Sequence, residues 1–159
     1  MAQTIFTPDL DTITGDIEIA APPETVFRAL TDERQLFQWW GKDADCKGHW
    51  HVDARKGGRW RFQSRNQSGT AALNGSIQHE ATGEILEYDP PRLLVYSWIA
   101  NWHDRPNEST VVRWELTPTK SGTRVRVQHS GLAQQSESRK GYSGGWPGVL
   151  ELLKKHCEA

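Results

Sequence analysis

The sequence predicts an α+β fold in which a highly curved antiparallel sheet closes around a C-terminal helix, and three observations predict it. From His49 to Gly131, alternating apolar runs follow one another with only short turn signals between them, the pattern of antiparallel hairpins. After them Trp146, Val149, Leu150, Leu153 and Cys157 recur at helical spacing, one apolar stripe that a sheet has to cover. Eight tryptophans occupy a chain of 159 residues, and Trp60, Trp98 and Trp114 sit at the centres of apparent strands. An indole is too large to vanish easily into a small core and carries an N–H that needs a partner, so converging indoles point to a lined cavity.

Taken in order, the first ten residues read as loose. Thr12 to Ala20 alternates, with Ile13, Ile17 and Ile19 on one face and Thr12, Asp16 and Glu18 on the other, which is the period of a half-buried strand. Pro23 opens a short helix, where its fixed φ fits and its missing N–H costs nothing, and Val26, Phe27 and Leu30 share a face. Asp32 with Gln35 resembles a capping box for a second short helix that carries Leu36, Phe37 and Trp40 and stops at Gly41. Strands then alternate with turns at Lys56-Gly57-Gly58, Asn66 to Gly69, Asp89-Pro90-Pro91 and Lys120-Ser121-Gly122. Arg92 to Ile99 is apolar on both faces and belongs deep in the sheet. The last helix is expected to start at Trp146, with Pro147 in its first turn and Gly144-Gly145 breaking the chain before it, and to run roughly three turns.

Bulk properties narrow the function. The chain fits one domain over residues 1–159, large enough to bury roughly 70% of its extended surface. A net charge of −1 excludes the basic excess that sequence-independent nucleic-acid binding requires. Cys46 and Cys157 are far apart and lack metal or redox spacing, which suits a reducing compartment. Neither a signal-peptide pattern nor an apolar run of ~18 residues is present, so the expectation is a cytoplasmic protein without a membrane span.

The segments IEIAAPPETVFRALTDERQLFQWW (Ile17 to Trp40), DARKGGRWRF (Asp53 to Phe62), GEILEYDPPRLLVYSW (Gly83 to Trp98), TRVRVQHSGL (Thr123 to Leu132) and GGWPGVLELL (Gly144 to Leu153) resemble the Aha-type heat-shock-ATPase-activator-homologue family. That family belongs to the START-like (SRPBCC) superfamily of helix-grip proteins. The resemblance implies a seven-stranded antiparallel sheet gripping a long C-terminal helix, with two short helices after the first strand and a hydrophobic cavity between sheet and helix. In the superfamily such cavities hold lipids, sterols, polyketides or plant hormones, and some relatives act as polyketide cyclases or aromatases. The family name comes from a co-chaperone, which makes contact with a heat-shock chaperone a further implication.

Strand parity assigns the cavity to Trp60, Phe62, Ile77, His79, Trp98, Trp114, His129 and Trp146, a mostly apolar lining with a few polar groups. The alternative is a filled core. His129 follows Val125 and Val127 on the inner face and reads either as a pocket group able to bond or move a proton, or as a core histidine with internal partners. His49, His51 and Asp53 share a strand face, but Trp50, Val52 and Ala54 claim the inward side, so the histidines face solvent and no metal is assigned. G-x-S-x-G, H-E-x-x-H, P-loop and G-x-G-x-x-G patterns are all missing, and neither a catalytic residue nor a cofactor is assigned. The function expected is binding of a hydrophobic or aromatic small molecule. The alternatives are cyclase-type chemistry in the same cavity, with His129 as its polar group, or a chaperone-interaction module.

Overall fold

Alternation in the sequence becomes an eight-stranded antiparallel sheet of order β1-β2-β8-β7-β6-β5-β4-β3. The computed structural model describes residues 3–40, 46–66, 77–101 and 103–159. Its elements are β1 (Gln3–Phe6), β2 (Ile13–Ile19), α1 (Pro23–Thr31), α2 (Glu33–Trp39), β3 (Cys46–Val52), β4 (Arg59–Asn66), β5 (Ile77–Asp89), β6 (Leu93–Ala100), β7 (Thr110–Thr119), β8 (Gly122–Ser130) and α3 (Ser136–Glu158). Each strand pairs with its neighbour in sequence except that β2 pairs with β8, which brings the two ends of the chain's strand run together.

The register carries the parity into the core. Ile13 pairs with His129 and Ile17 with Val125; Trp114 pairs with Val127 and with Leu94, and all of these are buried. Arg126, on the opposite face, donates to Asp16 at 2.8 Å. In β6, Leu93, Leu94, Val95, Tyr96 and Trp98 are all buried, as the two-faced apolar run demands. The histidine face of β3 points outward: Trp50 is buried while His49 and His51 are exposed, and His49 stacks on Phe37.

Curvature has identifiable sources. Register shifts interrupt the β4/β5 ladder at Ser64/Arg65 and the β5/β6 ladder at Ile85/Glu87, and bulges of this kind bend a strand and increase its twist. Gly83 faces Trp60 across the ladder. A Cβ at Gly83 would collide with the Ser97 carbonyl and the Trp60 indole nitrogen. Its absence lets the Trp60 indole lie over β5 and donate to Ser97 O at 2.9 Å.

Four local readings are corrected. Gln3–Phe6, expected to be loose, pairs with Ile13–Asp16 and adds a strand to the seven implied by resemblance. Asp32 does cap α2, accepting from the Arg34 N–H at 2.9 Å, but Gln35 does not close a capping box; its side chain meets His156 at 3.1 Å instead. Helix α2 ends at Trp39 with Trp40 as its cap, and Gly41 lies outside the described residues, as does the turn beyond Asn66. The last helix begins ten residues before Trp146 and runs 23 residues straight through Gly145 and Pro147.

Two distant side chains make that longer helix stable. Asp104 accepts from the Glu137 N–H at 3.1 Å and from the Ser138 N–H and hydroxyl at 3.0 Å each, supplying the cap that the N-cap residue Gln135 does not. Pro147 has no N–H for the Ser143 carbonyl, and the Thr4 hydroxyl of β1 donates to that carbonyl at 3.1 Å. The extra strand and the long helix are therefore linked.

Candidate functional site

The inward strand positions and one face of α3 meet in a cluster of aromatic rings. Trp60 of β4 and Trp98 of β6 lie 4.8 Å apart, and Trp60 stacks on Trp50 of β3 at 5.9 Å. Trp146 of α3 packs on Trp114 of β7 at 5.8 Å and on Trp98 at 6.3 Å. Several of these indoles are fixed by hydrogen bonds. Trp39 donates to Ala29 O, Trp50 to Trp40 O, Trp114 to Tyr96 Oη and Trp146 to His129 Nδ1.

Trp40 fills the centre. Positioned by the end of α2, it is half-buried, and its ring lies 4.8 Å from Trp50, 6.1 Å from Trp98, 6.4 Å from Trp114 and 5.9 Å from Trp146. No hydrogen bond from its indole N–H is found among the described residues, and ring packing seats it there. Beside it lies a cavity of about 20 Å³, room for one water. Leu30 and Thr31 of α1, Leu36 and Trp40 at α2, and inward residues of the sheet, including Trp50, Trp60 and Tyr96, line it.

The other end of the cluster is polar. His129 is fully buried, and its Nδ1 accepts the Trp146 Nε1–H at 3.2 Å. Because an indole can only donate, Nδ1 carries no proton, so Nε2 does. That proton points at Thr110 Oγ1, 2.7 Å away, and Thr110 in turn donates to Trp98 O at 2.9 Å. Burial, with the neighbouring His103 adding to it, pushes the His129 pKa down to about 3. Tyr142 of α3 lies edge-on to His129 at 4.5 Å and meets His103 Nε2 at 2.6 Å. Next to it the Gln135 amide matches the backbone of Arg105, accepting from its N–H at 2.9 Å and donating to its carbonyl at 3.2 Å.

Of the predicted set, Trp60, Trp98, Trp114, His129 and Trp146 converge. Phe62 is half-buried and packs on Trp50 at 4.9 Å. Ile77 and His79 belong to β5 by backbone, and their side chains lie outside the described residues. Among the described side chains of the set, Trp60 alone lines the 20 Å³ cavity, which lies against α1 and α2; the space beneath α3 holds the Trp40 ring. His129 takes the core-histidine reading, with both nitrogens engaged in this arrangement. Trp40, Tyr96, His103 and Tyr142 are additional members. Tyr96 shares parity with Trp98 and was accessible to the alternation rule; Trp40 comes from a helix end, where no period points inward.

Chemically, the arrangement offers stacking surface and a few neutral donors. Among the described residues no group of three or more His, Cys, Asp or Glu side chains gathers as a metal would require, and no helix is long and apolar enough to cross a membrane.

A curved antiparallel sheet wrapped on a C-terminal helix, with two short helices after the first long strand, defines the helix-grip class. The chain belongs to the family of activator of Hsp90 ATPase homologue 1-like proteins, whose pattern matches residues 20–158, as the sequence resemblance implied. A solved protein from Chromobacterium violaceum is 22% identical with TM-score 0.78 over 94% of this chain and 99% of its own. One from Mesorhizobium loti is 27% identical with TM-score 0.71 over 91% and 95%. DynU16, a protein in the dynemicin biosynthetic locus, is 20% identical with TM-score 0.70, covering 94% of this chain and 48% of its own. No protein of curated function matches the sequence.

Proposed function

We propose that this chain is a cytoplasmic binding protein for a hydrophobic or aromatic small molecule, held between the sheet and α3 in the place that the Trp40 ring occupies. The observation that carries this reading is Trp40 itself: a half-buried ring, seated by packing, that touches Trp50, Trp98, Trp114 and Trp146 at once. A cavity of about 20 Å³ is far below the ~300 Å³ of an ordinary ligand pocket. In this reading Trp40 swings out on binding and joins that cavity to the space under α3. The energetics permit it. Exposing one large aromatic side chain costs roughly 1.5–3 kcal/mol, whereas a flat guest that buries ~300 Å² of apolar surface returns about 7 kcal/mol at 25 cal/mol per Å².

The test is titration with the neutral fluorescent probe N-phenyl-1-naphthylamine, followed through probe emission and tryptophan quenching. Trp40→Ala is expected to bind the probe about tenfold more tightly than the unmodified chain. Trp98→Ala is expected to weaken binding, and Arg124→Gln on the outer face to leave it unchanged. Silence of both the unmodified chain and Trp40→Ala, or equal losses at inner and outer positions, overturns the reading.

A second reading is supported by the family description, which concerns Hsp90 activation: contact with a chaperone through the outer face of the sheet. Stimulation of the cognate chaperone's ATPase by this chain would favour it. Turnover in the cavity, the reading to which DynU16's biosynthetic locus lends support, would show as recovery of a changed compound.

A further inference from the structure

Tyr96 carries a hydroxyl proton that the described residues leave without an acceptor. The residue is only 7% exposed, and its oxygen accepts the Trp114 Nε1–H at 2.9 Å. Since the indole cannot accept in return, the phenol's own proton has no acceptor among the described residues. Burial raises the Tyr96 pKa well above its ordinary value, so the group remains a donor. A buried donor left unmet is destabilising, and such a group calls for a guest or a water.

Tyr96 also lines the 20 Å³ cavity. The other donors on the fixed wall are already committed: the Thr31 hydroxyl to Phe27 O at 3.0 Å, Trp50 to Trp40 O at 2.8 Å and Trp60 to Ser97 O at 2.9 Å. No carboxylate, ammonium or guanidinium group is among the lining residues. A guest that enters as Trp40 withdraws thus meets apolar rings, one available hydroxyl donor and no charge. A carboxylate would be stripped of water with no cation to meet it, and an ammonium with no anion. A pure hydrocarbon would leave the Tyr96 donor unmet.

Resting on the binding reading above, we infer that the ligand is a neutral, flat, apolar molecule bearing a carbonyl oxygen, and that this oxygen accepts the Tyr96 hydroxyl proton. Tyr96 is then the residue that selects among molecules of similar shape, while the tryptophans supply contact without selecting.

Two probes of one frame isolate the bond: 9-fluorenone and fluorene, which differ by the carbonyl. In the unmodified chain fluorenone is expected to bind roughly threefold to tenfold more tightly than fluorene, the range of one net neutral hydrogen bond. Tyr96→Phe is expected to abolish that preference and keep fluorene affinity within about twofold. The variant also removes Trp114's acceptor, so a measurement on the unmodified chain stands beside it. The infrared carbonyl stretch of bound fluorenone is expected to fall below its frequency in alkane. Equal affinities in the unmodified chain, a preference that survives in Tyr96→Phe, or an unshifted stretch overturns the assignment and leaves small-molecule binding standing. Failure of both probes to bind the unmodified chain and Trp40→Ala overturns both readings.

Discussion

His129 shows how much a single donor-only neighbour decides. With Trp146 donating to Nδ1, the ring is neutral with its proton on Nε2, and adding a second proton would set an N–H against an indole N–H in a fully buried site. Its pKa falls from 6.5 to about 3, so between those values the unfolded chain binds a proton that the folded chain does not. Stability therefore rises with pH across that window. The contribution is fully present above about pH 6.5 and is lost, at up to ~1.4 kcal/mol per pH unit, as the pH falls toward 3. Burial lowers the His103 pKa as well, and its effect has the same sign. Urea unfolding at a series of pH values is expected to show this slope, reduced by about one proton's worth in His129→Gln; an unchanged slope in the variant would contradict the assignment. Asp104 acts in a lower window. The backbone N–H groups of Glu137 and Ser138 hold its pKa at about 2, so the helix cap survives until the pH falls through that value.

At the scale of elements, α3 is the instructive case, because local signals point against the helix that forms. Glycines and Pro147 in the middle of a helix are each unfavourable on intrinsic propensity, and read locally they place the start at Trp146. The stripe continues upstream, however, through half-buried Tyr142 and buried Ser138, and the missing cap and the orphaned carbonyl are supplied by Asp104 and Thr4. Those partners are 34 and 139 positions away from the residues they serve, a distance that no periodic pattern encodes. Strands were legible because parity is local, and helix ends were not because their partners are tertiary. A Cβ added at Gly145 meets nothing within 4 Å, so Gly145→Ala is expected to stabilise the chain by about 0.5–1 kcal/mol. Thr4→Val is expected to cost about 0.5–1.5 kcal/mol by leaving Ser143 O without its donor. Chemical unfolding of the two variants checks both, and a destabilising Gly145→Ala would mean that the glycine face is covered by something.

For the molecule as a whole, the sheet divides the chain into an inner face that holds it together and an outer face that does little energetically. Parity made this division readable: the predicted indoles do point inward and do meet. Their meeting place, however, contains Trp40, and no alternation rule could announce that the chain's own ring would stand where a guest was expected. The two faces make opposite quantitative demands. Trp114 is 0% exposed, paired to Tyr96 and packed on Trp146 and Trp40, so Trp114→Ala is expected to cost about 3–5 kcal/mol through the void it leaves. Arg126 is bonded to Asp16 at 2.8 Å, but both side chains are partly exposed, 44% and 35%; solvent screening limits such a pair to about 0–1 kcal/mol, and Arg126→Gln should lie in that range. Urea unfolding at neutral pH measures both against the unmodified chain, with the denaturant slope as a check that the unfolded state is unchanged. The same Trp114→Ala void adjoins the Trp40 ring, so a flat apolar probe that fits it is expected to restore part of the lost stability in a concentration-dependent way. Absence of that rescue, with the fold intact, would show that the interior collapses on deletion, and that the aromatic cluster is a packed core with no capacity to admit a guest.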